Sequence, residues 1–148
     1  MTVLGVMHQS WTGMPARPDS VDRDLAVLIS ERVYVLPPLR QRPRNRFHNL
    51  VLPVAHVRNL HDADPCLIAD IMTVTSRLTS ALPAELGANG SFVFQNNVEP
   101  NGLPFHLHVH VVPRFDSDDF RTPDPHGVIE VPRADRLAQA RELRRLLA

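Results

Sequence analysis

Short apolar runs separated by polar residues and prolines occupy the first half of the chain. The runs 24–30 and 32–36 are rich in Val, Leu and Ile and are separated by Glu31, a pattern typical of two strands and a turn. Two prolines, beginning at Pro37, end the second run. A further apolar run over 48–54 predicts a third strand, which ends at a proline.

After Asp64 the pattern changes from strand to helix. Asp64 can cap free backbone N–H groups, and Pro65 is tolerated at the first helical position. Residues at helical spacing then form one amphipathic face: Leu67, Ile71, Thr75, Leu78 and Leu82. The spacing predicts a helix over about 65–80, closed by Pro83.

The rest of the chain divides into regular and irregular parts. Residues 91–96 predict another strand, residues 116–133 are rich in Asp and Pro and predict irregular structure, and 134–148 predict a final helix. The first 23 residues have neither a helical nor a strand period and are interpreted as an arm lying over the core. The predicted organisation is an arm (1–23), a core (24–115) and a C-terminal extension (116–148).

Composition narrows the class of protein. The 148 residues and 16.6 kDa suit one domain. The 16 basic and 16 acidic residues cancel, so no global basic field favours nucleic acid.

All the basic residues are Arg, which excludes Schiff-base chemistry and a P-loop lysine. The single cysteine excludes an intramolecular disulfide, and no apolar run suits a membrane span. We therefore expect a cytoplasmic protein with neither nucleic acid nor membrane as a partner.

The candidate chemistry lies in the segment 106–114, which contains histidine at every second position: His106, His108 and His110. In a strand, successive side chains alternate between faces, so the three imidazoles share one face. Leu107, Val109 and Val111 share the other. The pattern predicts an apolar side against the core and a row of imidazoles on the opposite surface.

Three interpretations of this row are open. It can be a strand with solvent-facing histidines and no function, a metal site, or a nucleophile acting on phosphorus with neighbouring imidazoles that handle protons and anionic oxygens. His106 and His110 lie about 13 Å apart on a straight strand, so one ion cannot easily bind all three. A metal site would need further ligands, such as Asp116, Asp118 or Asp119.

The residues His106-x-His108-x-His110-Val111-Val112 resemble the signature of the histidine triad (HIT) family of nucleotide hydrolases and transferases. The resemblance extends to 47–53, 56–60 and 92–97. It implies an α+β, HIT-like fold: an antiparallel sheet of about five strands with one main helix, followed here by the C-terminal helix, in chains that commonly form a homodimer. It also implies cleavage at the α-phosphate of a nucleotide through a nucleotidyl-histidine intermediate, with no cofactor and no metal.

The resemblance also implies roles for single residues. His108 would be the nucleophile, His110 would contact the phosphate, His106 would orient the central ring, and His48 would join the same hydrogen-bonded group. His48 alone can equally be a histidine that caps a strand. Asn96 or Asn97 would contact the phosphate, although asparagine after a strand is also an ordinary turn residue.

The chain departs from the family pattern before the triad. The family usually has Gly-Gln-Ser/Thr-Val there, whereas this chain has Gly102 followed by Leu103-Pro104-Phe105. Gly102 corresponds to the glycine of the family pattern and is a predicted substrate-binding residue. The missing polar groups keep two other functions open: a nucleotide-binding protein with little turnover, or a metal-dependent hydrolase that uses part of the row.

An arginine-rich segment follows the second predicted strand. Arginine occurs at every second position, at Arg40, Arg42, Arg44 and Arg46, and no apolar face is visible. The pattern predicts a solvated loop. Because guanidinium groups suit phosphate and carboxylate, the alternative is that Arg40 and Arg42 hold a polyphosphate or an acidic leaving group.

Overall fold

Five strands form one antiparallel sheet: β1 (Val27–Leu28), β2 (Val33–Leu36), β4 (Asn49–Pro53), β5 (Gly90–Phe94) and β6 (Val109–Arg114). Their order across the sheet is β1-β2-β4-β6-β5. A second ladder pairs β3 (Arg40–Gln41) with β7 (Ile129–Glu130). The helices are α1 (Pro65–Leu86) and α2 (Arg133–Leu146). This computed structural model describes residues 22–97, 106–120 and 127–148; Gly102 and nearly all of the predicted arm lie outside the described residues.

The two faces of the sheet carry different sets of side chains. On one face, Val35, Val51, Val109 and Val111 are buried in a cluster with one side of α1. The other face carries Tyr34, Leu36, Leu50 and Leu52 in a second buried cluster. Leu50 is the register partner of His110, so the histidine row lies on the face away from α1. The predicted α+β class and five-stranded antiparallel sheet are confirmed.

Helix α1 begins where the sequence predicts and ends later. The Asp64 carboxylate accepts a hydrogen bond from Leu67 N at 2.8 Å, which caps the first turn. The prediction that Pro83 closes the helix is wrong, because the helix continues to Leu86. Buried Leu82 anchors the last turns on the core, and Gly87 ends the helix at φ +67°, with its N–H donating to Pro83 O.

The arginine-rich segment is not a fully solvated loop, so that prediction is wrong in part. Arg40 and Gln41 pair with Glu130 and Ile129 as strand β3. The buried Gln41 side chain donates to Gln139 of α2 at 2.8 Å, and Gln139 donates back at 3.2 Å. The strand pairing also places β7 inside the region 116–133, which the sequence predicts to be irregular.

Helix α2 joins the core on the α1 side of the sheet, since Ala140, Leu143 and Leu147 belong to the same cluster as the central strands. Within the described ranges, neither α1 nor α2 combines the length and the apolar character that crossing a membrane requires.

Candidate active site

Strand β6 and the residues just before it carry the histidine row. The side chains of His106, His108 and His110 are 0, 2 and 0% exposed. The prediction of a row on the surface is therefore wrong, while the predicted separation of histidines and valines onto opposite faces is right. The second face of the sheet is itself packed, with Leu50 and Leu52 in a buried cluster, so the imidazoles on that face are enclosed by the structure rather than presented to water.

His106 is fixed by backbone groups of the segment after β4. Its Nε2 lies 2.8 Å from Pro53 O, and its Nδ1 lies 3.1 Å from Val57 O and 3.4 Å from Val57 N. Both ring nitrogens thus face a carbonyl oxygen, and in the neutral ring one of them donates. The exposed ring of His56 stacks on His106 with the ring centroids 5.3 Å apart. These contacts give His106 a defined orientation.

His108 is oriented by its neighbour in the row. Its Nδ1 lies 2.8 Å from the carbonyl oxygen of His106. A carbonyl oxygen only accepts, so Nδ1 carries the proton and donates it. In the neutral ring, Nε2 of His108 then holds a lone pair. This is the tautomer that a nucleophilic imidazole needs.

His110 is held between side chains from both neighbouring strands. Its Nδ1 lies 3.0 Å from Nε2 of His48, which directly precedes β4. On the other side, the Phe94 ring of β5 stacks on the His110 ring at a centroid distance of 4.1 Å and an interplanar angle of 4°. The rings of His108 and His110 meet edge to face at 4.6 Å. The structure therefore brings His48 together with the row.

Burial sets the charge of all four imidazoles. Desolvation lowers the pKa of His48 to about 3, and the positive form of His108 would lower it further. Burial likewise lowers the pKa of His106 and of His108 to about 4, and it lowers the pKa of His110 well below its ordinary value. Each ring is therefore neutral near pH 7, so Nε2 of His108 carries a lone pair rather than a proton.

The two asparagines after β5 have different surroundings. The Asn97 side-chain oxygen accepts from Leu60 N and from Gln95 Nε2, each at 2.9 Å, and so ties the end of β5 to the turn before α1. Asn96 is exposed, and its backbone oxygen accepts from Gln95 Nε2. The Asn97 side chain thus has a role in the fold, and contact of Asn96 or Asn97 with a phosphate stays a prediction.

The arginine-rich segment lies toward the far end of β6. Arg40 pairs with Glu130 at 3.7 Å. Arg42 donates to Asp119 O at 2.9 Å, and its guanidinium lies 4.7 Å from the centre of the Phe120 ring. Arg40 thus holds β7, and Arg42 holds the segment that follows β6. Binding of a polyphosphate or an acidic leaving group by these two arginines stays a prediction.

A buried carboxylate that the sequence analysis considered only as a metal ligand organises that far end. Asp118 accepts from Arg114 through both oxygens at 2.7 and 3.0 Å, from Asn45 Nδ2 at 2.7 Å, and from the backbone N–H groups of Phe115 and Phe120. These donors, the Arg114 guanidinium foremost, hold the pKa of Asp118 well below its usual range. Asp118 therefore serves the fold. In the part of the chain that the structure covers, no three His, Cys, Asp or Glu side chains group as metal ligands.

Comparison with known proteins agrees with this fold. The HIT domain family model matches residues 24–117. The fold and the row of alternating histidines define the class, and the chain belongs to the HIT family.

Among its relatives, the chain is 32% identical to the uncharacterized HIT-like protein Rv1262c of Mycobacterium tuberculosis, over 83% of this chain and 85% of that protein. It is 26% identical to the adenylylsulfatase HINT3 of Arabidopsis thaliana, over 54% of this chain and 41% of that protein. A zinc-bound histidine triad family protein from Mycobacterium smegmatis has a similar structure, with a TM-score of 0.64, 28% identity, and coverage of 87% of this chain and 86% of that one.

Proposed function

We propose that this chain is a nucleotide hydrolase or nucleotidyl transferase in which Nε2 of His108 attacks the α-phosphate of a nucleoside monophosphate conjugate. The observation that carries the proposal is the 2.8 Å contact between Nδ1 of His108 and the His106 carbonyl. It assigns the proton to Nδ1 and the lone pair to Nε2. Membership of the HIT family supports a nucleotide as the substrate.

The proposed reaction has two displacements at phosphorus. In the first, the Nε2 lone pair forms a bond to the α-phosphorus, and the bond to the leaving group breaks with its electron pair on the leaving atom, which takes a proton from solvent where the free leaving group requires one. In the second, the oxygen of water or another acceptor bonds to phosphorus, and the P–Nε2 bond breaks with its electron pair returning to His108. The acceptor's proton passes to solvent, and the nucleoside monophosphate is released. Burial of the row stabilises the neutral, attacking form of His108 and strengthens its hydrogen bonds.

His48 and His110 would act as a unit in this reaction. If His48 Nε2–H donates to Nδ1 of His110 across their 3.0 Å contact, Nε2 of His110 carries a proton. That N–H is then available to a phosphate oxygen or to the leaving atom, where charge develops. Asn96 and Gly102 are proposed as further substrate contacts.

The candidate substrates differ in their leaving group. Dinucleoside polyphosphates, nucleoside phosphoramidates and adenylyl sulfate each join a nucleoside monophosphate to a different leaving group. The likeness to HINT3, which is named an adenylylsulfatase, supports including adenylyl sulfate. We also propose that the chain works as a cytoplasmic homodimer, and light scattering on the purified protein measures the oligomeric state.

The test compares wild type, His108→Ala and His61→Ala on this substrate panel, with a chelator present throughout. His61 is an exposed histidine in the turn before α1 and serves as the matched control. We expect monophosphate release by wild type and by His61→Ala, loss of at least 10³-fold in His108→Ala, and a phosphorus adduct on His108 by mass spectrometry.

Other outcomes would point to other functions. A nucleotide that raises the melting temperature of the wild type without any product would establish a binding protein. Turnover that is lost in the chelator and recovered with added metal would establish a metal-dependent hydrolase.

A further inference from the structure

The ring of Phe94 lies flat against His110, and no sequence motif assigns it a role. Phe94 and His110 are register partners on the adjacent strands β5 and β6, so their side chains leave the sheet side by side on one face. The rings stack at 4.1 Å with only 4° between their planes. The strand pairing alone places the two side chains next to each other. Parallel stacking of the rings also requires a specific rotamer of each side chain.

Phe94 restrains the His110 ring together with His48 and His108. A hydrogen bond to His48 at Nδ1 fixes one point of the ring, and the ring of His108 meets it edge to face. Imidazoles have a broad, roughly two-fold torsion about the bond to the ring. A flat partner at van der Waals distance narrows that torsion, because rotation of the imidazole would drive its edge into the phenyl face.

We propose that Phe94 is a positioning residue, which holds the plane of His110 so that its Nε2 points at the phosphate that His108 attacks. The proposal rests on the proposed function for its catalytic consequence. A misplacement of about 1 Å at a reacting centre can lower a rate by about 10²-fold, so control of one ring torsion is enough to matter. In this proposal, Phe94 acts through the ring of His110.

The same strand offers a matched control. Phe92 lies two residues earlier on the same face of β5, and its register partner is Val112 rather than a histidine. Its ring contacts Phe94 at 5.3 Å and Phe120 at 5.4 Å. Both phenylalanines are half-buried. Phe92→Leu therefore removes the same atoms from the same strand without removing the stacking partner of His110.

The experiment uses Phe94→Leu, Phe94→Tyr and Phe92→Leu in the full chain. Histidine-selective ¹⁵N labelling and NMR report the His110 ring, whose protons lie in the ring current of Phe94. Quenched-flow mass spectrometry measures the rate at which adenosine phosphoramidate modifies His108, and titration gives the substrate affinity.

In Phe94→Leu we expect the His110 ring-proton shift to be lost, and nucleotidylation of His108 to slow by 5–20-fold with affinity changed less than 3-fold. Phe94→Tyr, which keeps a flat ring, and Phe92→Leu should both stay within 2-fold of wild type. Equal slowing in Phe94→Leu and Phe92→Leu, or an unchanged His110 spectrum in Phe94→Leu, would overturn the proposal. If wild type forms no adduct, the proposed function fails, while the NMR comparison still decides whether Phe94 orders the His110 ring.

Discussion

Nε2 of His48 and Nδ1 of His110 lie 3.0 Å apart, although 62 positions in the sequence separate the two residues. Pairing of β4 with β6 brings them together, with Asn49 opposite Val111. Two neutral imidazoles can share a single proton in this contact, and the direction of sharing decides which nitrogen of His110 can donate.

This contact predicts different effects for two replacements of His48. His48→Leu removes the partner of Nδ1 and should slow nucleotidylation of His108 by about 10–100-fold. This is less than the roughly 10²–10⁴-fold that a general acid or base contributes, because His48 acts through His110. His48→Gln retains an N–H donor of similar reach and should recover at least part of that loss. Single-turnover rates on one substrate measure both variants, and equal rates for Leu and Gln would contradict a donating role for His48.

The buried histidines predict a pH-dependent stability. Folding lowers the pKa of His48 to about 3 and of His108 to about 4, against about 6.5 in the unfolded chain. Between these values the unfolded state binds more protons, so the free energy of unfolding falls as the pH drops below about 6.5. Each such histidine contributes a slope of up to about 1.4 kcal/mol per pH unit.

Urea denaturation at pH values from 5 to 7 checks this prediction, since few carboxylates titrate there. His48→Leu should have a shallower slope than wild type, by about the contribution of one histidine. Parallel slopes in the two proteins would mean that His48 is solvated or protonated in the folded state.

The Asp118 network predicts a loss of stability that is separate from catalysis. Asp118→Asn replaces the charged acceptor of Arg114 and of two backbone N–H groups, and should lower the free energy of unfolding by about 2–3 kcal/mol. Asp119→Asn, at an exposed neighbouring position, should change it by less than about 0.5 kcal/mol. Chemical denaturation measures both, and a neutral Asp118→Asn would show that the network is solvated.

Two glycines between α1 and β5 are predicted to respond differently to replacement by alanine. Gly87 has φ +67°, whereas Gly90 begins β5, and an added Cβ meets no atom within 4 Å at either position. The two alanine substitutions therefore differ only in the backbone conformation that the new residue must adopt. Gly87→Ala should destabilise by about 1 kcal/mol, and Gly90→Ala should be neutral or slightly stabilising. Thermal unfolding checks the pair, and equal effects would contradict this account.

The local sequence pattern predicted the face on which the histidines lie and the start of the main helix. Alternation placed the three histidines on the face opposite Val109 and Val111, and the Asp64 cap fixed the start of α1. Pro83 misled the prediction, because a proline inside a helix loses a hydrogen bond and usually ends it, whereas this helix continues to Leu86 with Leu82 buried on the core.

The features that the sequence did not predict depend on pairing between distant segments. The strand at Arg40–Gln41 exists only because Ile129–Glu130 lies beside it. The stacking of Phe94 on His110 depends on the register of β5 against β6. Burial of the row depends on what covers the second face of the sheet, and an alternating pattern on one strand carries no such information.

The placement of three histidines on one continuous segment has a mechanical consequence. Their mutual spacing is set by covalent bonds and by the rise of an extended chain, about 6.6 Å for every two residues. Shear or breathing of the sheet changes the distance from His48 to the row but leaves the spacing within the row nearly constant. The ring of His108 thus keeps its neighbours through thermal motion, whereas a site assembled from separate loops would lose its alignment.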